Sequence, residues 1–113
     1  MPTTAITAGA PIATLINVFT VRADRQRQLV DLLARATEEV IQHLPGFIAA
    51  NIHASSDGTR VVNYARWESP DAFHAMLDNP DAQVHIRTAA AIADEFDPHL
   101  YTVESVHHVA PSQ

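Results

Sequence analysis

The chain has no cysteine, so a disulfide scaffold, a thiolate nucleophile and a Cys-based metal site are all excluded. It has no lysine either. All 7 basic residues are arginine, which removes Schiff-base chemistry and a P-loop lysine. The 3 glycines, at positions 9, 46 and 58, are too few and too scattered for a phosphate-cradling loop. No apolar run approaches the roughly 18 residues of a membrane span. The first ten residues, MPTTAITAGA, lack the basic and long apolar regions of a signal peptide, so a cytoplasmic location is expected. A net charge of −6 with no basic cluster argues against a nucleic-acid partner.

The 113 residues that are present suffice for one core but not two. Apolar residues make up 47% and charged residues 18%, the balance of a folded domain rather than a disordered chain. Residues 1–11 read as a flexible N-terminal arm and 12–110 as the domain. Residues 13–21 are β-branched and aromatic, a first strand. Asp24 is placed to cap a helix running to about His43, with Leu29, Leu33, Ala36 and Val40 on one face. Pro45-Gly46 stops it. Phe47–Ser55 and Arg60–Trp67 form a hairpin around an Asp57-Gly58 turn. Ser69-Pro70 and Asn79-Pro80 each open a helix, the second over Asp81–Phe96 with Ala82, His85, Ala89 and Ile92 on one face. Pro98 ends that helix, and His99–Val109 is the last strand. The order β-α-β-β-α-β predicts an α+β, ferredoxin-like fold with a four-stranded antiparallel sheet.

A sheet covered by helices on one side should alternate apolar and polar residues. These strands do not. Leu15, Phe19 and Val21 face one way and Ile16 and Val18 the other. In the second strand Phe47 and Ala49 oppose Ile48, Ala50, Ile52 and Ala54. Helices cover one face only, so the other predicts a homodimer packed sheet on sheet, a dimeric α+β barrel.

The third strand carries the chemistry. By parity Val61, Asn63, Ala65 and Trp67 share one face, and Arg60, Val62, Tyr64 and Arg66 the other. A buried amide and a buried indole N–H both need partners, so Asn63 and Trp67 mark either a satisfied core or a ligand pocket. Asn17 is a further amide in an apolar strand. Arg87, in the middle of the last helix, is either a solvated or ion-paired group, with Asp81 or Asp94 as partner, or a cation at a pocket mouth. The 7 histidines show no metal-ligand spacing. Each is capable of acting as a base near neutral pH, yet spacing singles out none.

The segment PGFIAANIHASSDGTRVVNYARWESPDAF, with LINVFTV near the start, resembles the antibiotic biosynthesis monooxygenase family. The likeness covers about Thr14 to Val109 and is strongest at HASSDGTRVVNYARWES. It implies small dimeric ferredoxin-like proteins, some of which oxidise phenolic or anthrone-type polyketides to quinones with dioxygen and no cofactor. It makes Asn63, Trp67 and Arg87 catalytic and Asn17, Tyr64 and Phe73 substrate-binding, with a small aromatic substrate and dioxygen as partners. Asn63 and Trp67 would donate to substrate oxyanion or peroxide, and Arg87 would stabilise charge or relay protons. Parity sets Tyr64 on the opposite face from Asn63 and Trp67. Phe73 stands where the nearest members carry tyrosine, so a hydroxyl there is lost. Two alternatives remain open. One is haem binding and degradation on the same fold, with His85 and Asn17 near the required places but Met76 where a tryptophan is needed. The other is a non-catalytic dimeric module for a small ligand.

Overall fold

The structure, a computed structural model, describes residues 2–110; Met1 of the arm lies outside them. Its elements are β1 (Ala13–Thr20), α1 (Gln26–Glu39), β2 (Phe47–Ala54), β3 (Arg60–Trp67), α2 (Pro70–Leu77), α3 (Pro80–Ile92) and β4 (Glu95–Tyr101). The sheet order is β2-β3-β1-β4, antiparallel throughout, which is the ferredoxin-like arrangement read from the sequence.

Local chemistry explains the boundaries. Ser69 Oγ accepts from Ala72 N at 3.1 Å to start α2. Asn79 Oδ1 accepts from Asp81 N and Ala82 N at 2.9 and 3.0 Å to start α3. Each cap satisfies N–H groups that a helix leaves orphaned, worth about 1 kcal/mol. In the β2–β3 turn the Thr59 hydroxyl, the Thr59 N–H and the Ser55 hydroxyl all donate to Asp57 Oδ1. These bonds, the Thr59 hydroxyl foremost, hold the exposed Asp57 carboxyl down to about 2.

Four expectations are corrected. Asp24 does not cap α1: it sits in a short turn at Ala23–Arg25 and pairs with Arg22 at 3.0 Å. The helix ends at Glu39 rather than His43, which belongs to a separate tight turn. Helix α3 ends at Ile92, and β4 runs from Glu95 to Tyr101 instead of from His99 to Val109. Pro98 therefore lies inside a strand. That strand is the sheet edge, where a missing N–H is tolerated. Last, β2 carries a bulge at Ile48, between the pairs Phe47–Trp67 and Ala49–Arg66. The extra residue returns Phe47 to the same side as Ala50 and Ile52 and sends Ala49 to the other.

All three helices cover one side of the sheet. Leu15, Phe19, Val61, Ala65 and Trp67 face them and form the core with Leu29, Phe73, Met76, Ala82, Ala89 and Ile92. The other side presents Thr14, Ile16, Val18, Val62, Tyr64 and Arg66. The arm reaches that side at β2, where Thr4 Oγ1 donates to Asn51 Oδ1 at 3.1 Å. Gly9 N donates to Val103 O, joining the arm to the tail beyond β4.

Candidate active site

Antiparallel register sets Asn17 of β1 directly opposite Asn63 of β3 in mid-sheet, on the helix-covered side. The helix residues above them are small: Ala36 of α1 and Ala89 and Ala90 of α3. Two amides facing alanines cannot fill the space between layers. The result is a cavity of about 450 Å³, within the range of small-molecule sites. Leu15 and Phe19 from the sheet, Leu33 from α1, and Phe73 and Met76 from α2 make its wall strongly apolar.

The polar groups are few. Asn17 Oδ1 is committed, accepting from Asp97 N at 3.1 Å. Asn63 Oδ1 is buried with no partner among the described residues. Rotation of the amide can present either its carbonyl or its NH₂, so Asn63 can accept from or donate to a bound molecule. Trp67 Nε1 and Arg66 Nε are also buried without partners among the described residues.

The other sequence candidates are placed as follows. Trp67 shares the helix side with Asn63, as parity requires, but lies behind the cavity wall rather than in it. Its ring meets Phe47 and Phe73 edge-on at centroid distances of 5.5 and 6.4 Å and is 1% exposed. Phe73 itself lines the cavity. Tyr64 pairs with Ile16 on the outer side and does not join Asn63. Arg87 is exposed and outside the wall. It comes five residues after the buried Ala82 and two before the buried Ala89, which turns it to the solvent side of α3. Neither Asp81 nor Asp94 is ion-paired with it among the described residues. Asn63, Asn17 and Phe73 are thus brought together, while Trp67 stands one layer back and Tyr64 and Arg87 point elsewhere.

The sequence reading gave His85 a place only in the haem alternative, yet it lines the cavity. Its signal was the spacing Ala82, His85, Ala89 on the inward face of α3. His74 and His99 also touch the cavity, His74 from the exposed end of α2. His99 lies beside Ile16, so its ring is on the outer side, where Nε2 meets Asp97 Oδ1 at 2.7 Å. Among the described residues no three His, Asp or Glu side chains gather as a metal site. None of the described helices is long and apolar enough to cross a membrane.

Comparison with known proteins adds three findings. Residues 12–88 match the family model described as antibiotic biosynthesis monooxygenase. The tetracenomycin-F1 monooxygenase of Streptomyces glaucescens is 46% identical over 80 residues, 71% of this chain and 71% of that protein. Among solved structures, the ActVA-Orf6 monooxygenase of Streptomyces coelicolor, in complex with nanaomycin D, superposes with a TM-score of 0.72 at 27% identity. That match covers 91% of this chain and 94% of the other. The N63A mutant of SnoaB of Streptomyces nogalater, a cofactor-independent oxygenase, superposes with a TM-score of 0.77 at 24% identity over 86% of this chain and 97% of its own, a likeness of fold.

Proposed function

The chain belongs to the antibiotic biosynthesis monooxygenase family, and from that premise we propose that it oxidises a phenolic or anthrone-type polycyclic substrate to a quinone with dioxygen, without a cofactor. One observation carries the reading: an unpartnered amide, Asn63, opens into an apolar cavity of about 450 Å³.

The reaction balances with substrate and oxygen alone. An anthrone CH₂ becomes C=O, losing four electrons, and dioxygen accepts all four, giving one oxygen to the product and one to water. No external reductant is required. The substrate must lose a proton to become electron-rich enough to reduce oxygen. The negative charge that develops on its oxygen, and then on the peroxide, needs a donor in a water-poor site. Asn63 supplies that donor from the sheet. The apolar wall excludes water and stacks the rings. Trp67 Nε1 stands one layer back behind Phe73 and would become a second donor where that ring moves aside. Arg87 makes no direct contact in this reading.

The test is dithranol oxidation by purified, chelator-treated protein under oxygen. Danthron formation well above the buffer rate is expected, unchanged by metal removal. Asn63→Ala should lower turnover by about 10²–10³-fold, the usual loss for one transition-state donor. Conversion no faster than buffer across several anthrones and naphthols would discard the reading.

A further inference from the structure

We propose that His85 is the base that removes the substrate's C–H proton. The proposal rests on the monooxygenase reading and goes beyond it, because neither amide of the cavity is able to take up a proton at neutral pH. Phe73 cannot either: it is a bare ring in the cavity wall. A base has to come from another wall residue.

The candidates reduce to one. Among the described residues, the titratable residues lining the cavity are His74, His85 and His99. The Asp97 N–H is bound by Asn17, and the His99 ring is turned to the outer side of the sheet against the Asp97 carboxylate. His74 is exposed, its ring 5.6 Å from that of Phe73 at the mouth. His85 is half-buried, three residues after the fully buried Ala82 and four before the buried Ala89. That spacing aims it from α3 across the cavity toward the sheet. No side-chain hydrogen bond or ion pair to it occurs among the described residues, so both ring nitrogens are free to serve the ligand. The elements packed around it present no charge of their own to the cavity. α1 offers Leu33 and Ala36, the turn after it Ile41, and β1 and β3 offer Asn17 and Asn63. The remaining titratable neighbours are His74 from α2 and His99 from β4.

The proton inventory closes. A neutral imidazole nitrogen of His85 takes one proton from the anthrone CH₂, and the electron pair stays in the ring system. Dioxygen takes up those electrons as a C–O bond forms, leaving a peroxide anion that the imidazolium protonates. Loss of the second C–H proton then drives O–O cleavage to C=O and hydroxide, which joins that proton as water. His85 ends as it began.

Two measurements separate this proposal from the function it rests on. Under nitrogen, the protein should catalyse exchange of the dithranol CH₂ hydrogens with D₂O, because that step needs no oxygen. His85→Gln should lose about 10²-fold or more of both exchange and aerobic turnover, within the usual range for one general base. The fall in rate toward acid pH should vanish with it. Free imidazole should restore exchange to His85→Ala, and His108→Gln, in the exposed tail, should behave as the parent. Thermal unfolding of each variant checks folding. Quinone formation by the parent with His85→Gln within twofold of it overturns the base and leaves the function intact. Exchange by the parent without quinone overturns the function and leaves the base. No exchange by the parent overturns the proposal.

Discussion

A buried N–H with no acceptor costs about 1–3 kcal/mol, and Trp67 Nε1 is such a group. The indole is otherwise placed to pack, edge-on to both Phe47 and Phe73. Packing alone would be served by an aromatic ring without a donor. Trp67→Phe keeps a ring and removes the N–H, so it separates the two uses. The volume lost should cost about 1 kcal/mol by the cavity scale. Removing the orphan donor offsets much of that, so Tm should move by only a few degrees. If the N–H is held for a substrate oxygen, turnover should fall by at least about tenfold. Unchanged turnover with a similar Tm would assign the indole to packing alone. Asn63 poses the same question with less ambiguity, because it lines the cavity directly.

At the level of elements, the tightest constraint lies where the chain turns from α1 into β2. Gly46 has φ +82°, and a Cβ there would fall 2.4 Å from the Cβ of Ala72 in α2. Its carbonyl accepts from Glu68 N at 2.8 Å, tying this turn to the end of β3. Gly46→Ala must therefore pay both left-handed strain and a backbone or helix shift, about 2–5 kcal/mol together. Gly58, with φ +81° and its nearest atom, Ala23 Cβ, at 3.3 Å, carries chiefly the first cost. Thermal melts should show Gly46→Ala lower in Tm than Gly58→Ala by several degrees; equal melting would mean that α2 is free to move off the turn. The sequence announced these elements well where the signal was local. Ser69-Pro70, Asn79-Pro80 and Asp57-Gly58 each fix a boundary through bonds within a few residues. It announced them poorly where tertiary contacts decide. Pro98 reads as a stop, and only its edge position lets it pair opposite Asn17. The bulge at Ile48 leaves no local mark. Likewise parity located Asn63 and separated Tyr64, but the screening of Trp67 by Phe73 depends on how α2 sits against β3.

The whole molecule has one side of its sheet finished and the other not. Helices cover the first over β1 and β3, leaving the edge strand's Phe96 half-exposed there. On the second, Ile16, Val18 and Val62 are only half-buried in the single chain, beside Tyr64. Arg66 on that side is 5% exposed with its Nε unpartnered, and Tyr101 and the bulged Ile48 remain 47% and 41% exposed. A central stripe of β-branched residues left in water is unfavourable at about 25 cal/mol per Å², and a second copy of the same sheet is the cover of matching shape. The arm contributes at Asn51 but, among the described residues, is bonded there by a single hydroxyl, Thr4. Sedimentation of the purified chain at micromolar concentration should give a dimer. Val18→Glu, which puts a charge at the centre of the stripe and touches nothing in the cavity, should give a monomer that retains its helical signal. Because Asn17, Asn63 and the apolar wall lie on the side of the sheet opposite the stripe, that monomer should still bind danthron, with affinity reduced only as far as the sheet loosens. A parent chain that sediments as a monomer would leave the stripe without its proposed cover. A Val18→Glu dimer would move the interface to the helices, where the half-exposed Val84 of α3 would become the place to look.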